Sequence, residues 1–171
     1  MKKADIAVIM GSDSDLPVMK ECLATLKEFG IDYDAAVLSA HRTPEKVSRF
    51  AQHAAEQGVR VIIAAAGSAA HLAGVIAAQT ILPVIGVPLE ASSLQGLDAL
   101  LSTVQMPAGV PVATVAIGKA GAVNAALLAV TILGVSDNTI RTKLESYKQN
   151  MIKKVEKKNA ALQQALSSNT A

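Results

Sequence analysis

Residues 59–80 read VRVIIAAAGSAAHLAGVIAAQT. A strand is expected from Val59 to Ala66, its apolar run beginning after Arg60 and stopping at the small, polar turn Gly67-Ser-Ala-Ala-His71, and an Ala-rich segment continues to about Thr80. Such a run does not alternate with polar residues, so it predicts a strand buried on both faces. Buried strands of this kind belong to parallel sheets whose two faces are covered by helices. Val61 to Ala78 carries no formal charge and is long enough to span a bilayer. Gly67, Ser68 and His71 interrupt it, and Pro83 and Pro88 follow closely. A buried strand, a turn and a buried helix account for it better than a membrane span.

The same unit repeats outward in both directions. Ala4 to Met10 predicts a first strand, Gly11-Ser-Asp-Ser-Asp15 a polar turn, and Leu16 to Phe29 a helix. Val18, Met19, Cys22, Leu23, Leu26 and Phe29 recur at helical spacing, Pro17 suits the first turn, and Gly30 ends the helix. Tyr33 to Leu38 predicts a second strand, followed by the turn Ser39-Ala-His-Arg-Thr-Pro44. Thr43 reads as an N-cap with Pro44 at the first helical position, and that helix should run to Gln57, before Gly58. Val84 to Val87 is a fourth strand, Leu94 to Val104 a helix, Val112 to Ile117 a fifth strand, and Gly121 to Leu133 a helix ended by Gly134. Strand and helix alternate throughout, which defines an α/β domain over residues 1–136.

Asp137 to about Leu166 then predicts one long helix. Ile140, Leu144, Tyr147, Met151, Val155, Leu162 and Leu166 trace a single apolar stripe on it. A helix this long overhangs a small sheet, so residues 137–171 are expected to pack on another subunit. The spacing drifts from a strict heptad, which disfavours a coiled coil.

Composition narrows the function. The chain has 171 residues, 51% of them hydrophobic and only 2% aromatic, with no Trp. Its core must therefore be aliphatic, and stacking platforms for single-stranded nucleic acid or a flavin are scarce. Net charge is +2, but residues 141–158 hold seven Lys and Arg against two Glu. Without a recognition motif, that stretch reads as the wet face of a helix rather than a nucleic-acid site. Cys22 is the sole cysteine, so neither a disulfide framework nor a thiolate metal cluster is expected. Lys2 and Lys3 precede an apolar run too short for a signal peptide, so a cytoplasmic protein is the expectation.

Three polar turns, 11–15, 39–43 and 67–71, fall where apolar runs end. In doubly wound sheets, ligands bind at the carboxyl ends of strands near the point where strand order reverses. Helix N-termini there favour anions, and Arg42 adds a bidentate charge clamp, so the turns point to a phosphorylated small molecule. No G-x-G-x-x-G follows the first strand, and Gly118-Lys119 lacks the rest of a Walker A motif. His41 and His71 occupy two of these turns. Each alone reads equally as a local hydrogen-bonding group or as a catalyst, and together they favour acid/base chemistry near neutral pH. His53 reads as a surface or structural residue on a helix. Asp15 reads equally as a helix cap or a ligand. No metal is expected, because there is no second Cys and no His pair at ligand spacing.

At these turns the sequence resembles the PurE family. The matching stretches are Gly11-Ser-Asp-Ser-Asp15, Ser39-Ala-His-Arg-Thr-Pro44, Ala66-Gly-Ser-Ala-Ala-His-Leu72, residues 100–118 and Gly121-Ala-Val-Asn-Ala-Ala-Leu-Leu128. They cover nearly the whole chain to about residue 145, in order. The resemblance implies a three-layer, flavodoxin-like parallel sheet with helices on both faces, a homo-octamer, and no metal or organic cofactor. It also implies a ribonucleotide substrate and no nucleic-acid or membrane partner.

The Ser-Ala-His-Arg-Thr-Pro and Ala-Ala-His-Leu segments resemble the mutase branch. That branch converts N5-carboxyaminoimidazole ribonucleotide to its carbon-carboxylated isomer in purine biosynthesis. By the same resemblance, His41 is the general acid/base. Gly11, Ser12, Ser14 and Asp15 hold the ribose-phosphate with Ser39 and Arg42, and the stretch from Gly67 to Leu72, with Ser68, Ala70 and His71, walls a carbon dioxide pocket. Ser68 stands where the family usually has Gly, and Ala73 where it usually has Pro. Three rival readings remain: a carboxylase acting directly on aminoimidazole ribonucleotide, a non-catalytic phosphosugar-binding module and, more distantly, a flavin-binding electron carrier.

Overall fold

The computed structural model describes residues 4–168, so Lys2 and Lys3 lie outside the described residues. The described chain divides into two compact units, one ending at Leu133 and one beginning at Gly134.

The first unit is built on five strands: β1 (Ile6–Met10), β2 (Tyr33–Val37), β3 (Val61–Gly67), β4 (Val84–Leu89) and β5 (Ala113–Thr114). All neighbours pair in parallel, in the order β2-β1-β3-β4-β5. This is the flavodoxin-like order, with its reversal point between β1 and β3. In register, Ala7 lies beside Ile62 and Ile9 beside Ala64. These four residues face one core with Val47, Phe50 and Ala51 of α2 (Pro44–His53) and Leu72, Ala73 and Ile76 of α3 (Leu72–Ala77). The alternate residues Ile6, Val8, Ile63 and Ala65 are also buried, so the other face is covered too. Two helices bring further buried stripes: Met19, Cys22 and Leu26 on α1 (Leu16–Glu28), and Ala122, Ala125, Ala126 and Ala129 on α5 (Gly118–Gly134). Small alanines let helices sit close to a sheet, which suits a chain with two Phe and no Trp.

Cys22 belongs to this core, and burial pushes its thiol up to about 12, so it is held as an unreactive apolar group. Gly86 in β4 shows how tight the packing is. A Cβ there would lie 2.3 Å from Cγ2 of Thr103 on α4 (Leu97–Val104), closer than two carbons can approach.

Several element boundaries differ from those expected from sequence. The fifth strand pairs only at Ala113 and Thr114, opposite Ile85 and Gly86, rather than over Val112 to Ile117. The chain turns out of the sheet there, and α5 begins at Gly118 instead of Gly121. Helix α2 ends at His53, because Gln57, Gly58 and Val59 close tight turns onto Ala54 and Ala55. Helix α3 likewise stops at Ala77, well short of Thr80, and Gln79 bonds back to the carbonyl of Ile76. Helix α4 starts at Leu97, not Leu94, because Gln95 (φ 52°) and Gly96 (φ 84°) are left-handed and break the helical run.

The second unit is dominated by α6 (Asn138–Ser168). Asp137 caps it, its carboxylate accepting the N–H groups of Thr139 at 2.8 Å and Ile140 at 3.1 Å. Met151, Val155, Leu162 and Leu166 of the apolar stripe are exposed. Among the described residues no helix is long and apolar enough to cross a membrane.

Candidate active site

The turns after β1, β2 and β3 converge at the carboxyl ends of the strands on a cavity of about 360 Å³. From the first turn it is lined by Gly11, Ser12, Ser14 and Asp15, and from the second by Ser39, Ala40, His41 and Arg42. Ala66, Gly67, Ser68, Ala69, His71 and Leu72 form the third wall, and Ala91 closes the side next to β4. The volume suits a small organic ligand.

The first turn is held by a capping box. The carboxylate of Asp15 accepts the N–H of Ser12 at 2.9 Å, and the Ser12 hydroxyl accepts the N–H of Ser14 at 3.3 Å. The box closes the short 3-10 turn Asp13–Asp15, while α1 receives no side-chain cap from Asp15. Asp15 is therefore both a cap and a lining residue. Burial raises its carboxyl above the usual aspartate value, a shift opposed by backbone N–H bonds from Ser12 and Gly11.

The second turn is knotted around Ser39. Its hydroxyl accepts the N–H of Arg42 at 3.2 Å and lies 3.5 Å from the guanidinium Nε. Thr43 sits at the N-cap of α2, as its place before Pro44 predicts, but its side chain does not cap the helix. It turns back instead, accepting the N–H of Ser39 and donating to the Ser39 carbonyl. The turn is thus fixed by its own side chains, and Arg42 and His41 project from a rigid base.

The third turn presents two features. Ser68 is left-handed, at φ 55°, a conformation that costs a residue with a Cβ about 1–2 kcal/mol. Gly67 needs its missing side chain, because a Cβ there would lie 2.2 Å from the Cβ of Ala91. Ala70, expected in the wall, does not line the cavity. It is buried, and its N–H is donated to the Ser102 hydroxyl on α4.

Across the cavity, Nε2 of His41 lies 2.9 Å from Nδ1 of His71, with the rings nearly perpendicular at 81°. Both side chains are exposed to the cavity. His53 lies apart, exposed, its Nδ1 2.8 Å from the Arg49 carbonyl oxygen. Among the described residues no cluster of His, Cys, Asp and Glu is arranged to hold a metal ion.

Sequence reasoning missed Ala40, Ala66 and Ala91, while Ala69 falls within the expected wall from Gly67 to Leu72. Alanine carries no chemical signal, but Ala91 follows the end of β4 and the strand-end rule would have located it. The guanidinium, hydroxyls, carboxylate and imidazole pair together suit an anionic, hydroxylated small molecule that exchanges protons.

These features define a flavodoxin-like α/β protein with a cavity of small-molecule size at the reversal point of its sheet. The family model described as AIR carboxylase matches residues 5–154. An N5-carboxyaminoimidazole ribonucleotide mutase of Pyrococcus horikoshii is 55% identical, over 95% of this chain and 91% of that one. A mutase of the same name from Mycobacterium tuberculosis is 55% identical over 92% of this chain and 90% of its own. A phosphoribosylaminoimidazole carboxylase of Saccharomyces cerevisiae is 54% identical over 86% of this chain, which spans 25% of that longer protein. The crystal structure of Treponema denticola PurE superposes with a TM-score of 0.83 at 30% identity, covering 92% of this chain and 97% of that one. The chain belongs to the AIR carboxylase, or PurE, family.

Proposed function

We propose that this protein is an isomerase of purine biosynthesis, converting N5-carboxyaminoimidazole ribonucleotide to 4-carboxy-5-aminoimidazole ribonucleotide. The observation that carries the reading is the convergence of His41, Arg42, Ser39, Ser12 and Asp15 from separate strand-end turns on one cavity. The mutases named above, each matched over nine-tenths or more of both chains, point to the same reaction.

Arg42 and Ser39 take the phosphate through charge-assisted hydrogen bonds, and Ser12, Ser14 and Asp15 take the ribose. His41, as imidazolium, protonates the carbamate nitrogen. The carbon–nitrogen bond breaks, and its electron pair stays on nitrogen as carbon dioxide leaves. The wall formed by Gly67, Ser68, His71 and Leu72 keeps the carbon dioxide against the ring, at high effective concentration. Ring carbon 4 attacks it, and the neutral His41 removes the proton from that carbon, which restores the imidazolium. No external proton donor or electron source is needed. The exposed apolar residues of α4 and α6 support a homo-oligomer, an octamer by family likeness, and the cytoplasm is its proposed compartment.

The test is His41→Asn. The variant should still bind the carbamate substrate while turnover falls by at least the roughly 10²–10⁴-fold contributed by a general acid/base. Near-normal turnover would remove His41 from the mechanism.

A further inference from the structure

The contact between His41 Nε2 and His71 Nδ1, 2.9 Å apart, constrains where protons can reside. Two ring nitrogens attract at this distance only if one carries a proton and the other a lone pair. The backbone that carries each ring is held in place. Ser39, Arg42 and Thr43 lock the turn that bears His41. His71 donates its N–H to the Ala69 carbonyl at 2.8 Å, and its own carbonyl accepts the N–H of Val75 at 2.9 Å. The two turns therefore hold the two Cα atoms at a separation that lets the rings meet.

Two proton arrangements satisfy the contact in the resting protein. In one, His71 donates from Nδ1 to a bare Nε2 of His41. In the other, His41 donates from Nε2 to a bare Nδ1 of His71. The reaction proposed above, on which this inference rests, takes His41 through both neutral and imidazolium forms in each turnover. An imidazolium carries protons on both nitrogens. In the first arrangement, charging His41 would set N–H against N–H and break the contact. In the second the bond persists and becomes charge-assisted, hence shorter and stronger.

We infer that His71 is a positioning residue for His41: it accepts the Nε2 proton of His41 throughout the cycle, so that His41 exchanges the catalytic proton through Nδ1. Nδ1–H gives its proton to the carbamate nitrogen and is left with a lone pair. That lone pair later takes the proton from ring carbon 4. The Nε2 proton stays in the bond to His71, whose own proton is on Nε2. This logic parallels the way a buried acceptor fixes the tautomer of a catalytic histidine in hydrolase triads, with an imidazole in place of the carboxylate.

The test compares His71→Asn with His71→Leu in the full chain. The two replacements have nearly the same shape, but Asn sets a carbonyl oxygen near the place of Nδ1 and Leu sets none. The Leu variant should lose kcat by roughly tenfold to a hundredfold, part of the 10²–10⁴-fold a general acid/base supplies, while KM changes little. The Asn variant should recover most of that loss. Ring-¹⁵N spectra of the ligand-free protein, with His41 assigned by its absence in His41→Asn, should show an exchange-protected Nε2 proton, and the neutral form of His41, reached by raising the pH, should show a bare Nδ1. That proton signal should remain in the Asn variant and vanish in the Leu variant. Equal activity of the two variants, or a proton on Nδ1 of neutral His41, would overturn the positioning role alone. A wild-type protein inactive on the carbamate substrate would overturn the functional reading, whatever the spectra show.

Discussion

The two sides of the sheet follow one structural grammar and reach different ends. Strands β1, β2 and β3 finish in turns rich in Ser, Asp, Arg and His that meet on one cavity. Strands β4 and β5 lie farther along the same sheet, and of their connections only Ala91 reaches that cavity. Helix α4 and the turn before it instead expose Leu94, Leu97, Leu101 and Val104. Composition does not explain the difference, because residues 90–96 contain Glu90, Ser92, Ser93 and Gln95. Topology does. The chain leaves β1 toward one edge of the sheet and later fills the other, so the turns flanking β1 and β3 part and leave a crevice. Polar residues become a site only where the strand order opens room for them.

Stability should ignore this division and chemistry should obey it. Ile63 in β3 and Ile85 in β4 are both fully buried. Each, replaced by Ala, should lower unfolding free energy by about 2–5 kcal/mol in urea titrations. A large loss on one side and none on the other would mean the two halves are not one cooperative core. Arg42→Ala should leave stability nearly unchanged and raise KM by roughly 10- to 150-fold, the value of about 1.5–3 kcal/mol for a hydrogen bond to a charged group.

Gly67→Ala tests the seam between the halves. The new Cβ would collide with Ala91, so stability should fall by about 1–3 kcal/mol and activity with it. An unchanged variant would mean the β4 side does not wall the cavity. Asp15→Asn probes the buried carboxyl. Because folding raises the Asp15 value, the folded state binds the proton more tightly than the unfolded chain does. Wild-type stability should therefore fall as pH rises from the ordinary aspartate value, about 3.9, through the raised one. The Asn variant should lack that component, a difference readable from urea midpoints between about pH 4 and pH 7. Ser68→Gly should give the smallest change, a stabilisation of about 1 kcal/mol from relief of the left-handed backbone.

Much of this is legible in the sequence alone. Continuous apolar runs such as residues 61–66 announce buried parallel strands, and the abrupt polar turns after them mark the site. The fifth strand was misjudged in extent because its apolar residues continue past Thr114 while its ladder does not. Sequence cannot show where a backbone turns out of register. Thr43 was placed correctly at a helix start, but its partner is Ser39, since the turn's own geometry outcompetes the cap. Asp15 was divided between cap and ligand, and the structure places its carboxylate in the capping box and at the cavity wall. The two turn histidines were visible as candidates. Their direct bond was not, because it joins side chains 30 residues apart through two loop conformations.

The central claim is that the carboxyl group moves within one substrate rather than arriving from solution. Its most direct test is an assay without ATP, offering carboxyaminoimidazole ribonucleotide in one sample and aminoimidazole ribonucleotide with bicarbonate in another. Fast formation of the carbon-carboxylated product from the first alone is the predicted result. Fast formation from the second would contradict it and make the protein a direct carboxylase, and silence in both would leave a binding module in place of an enzyme.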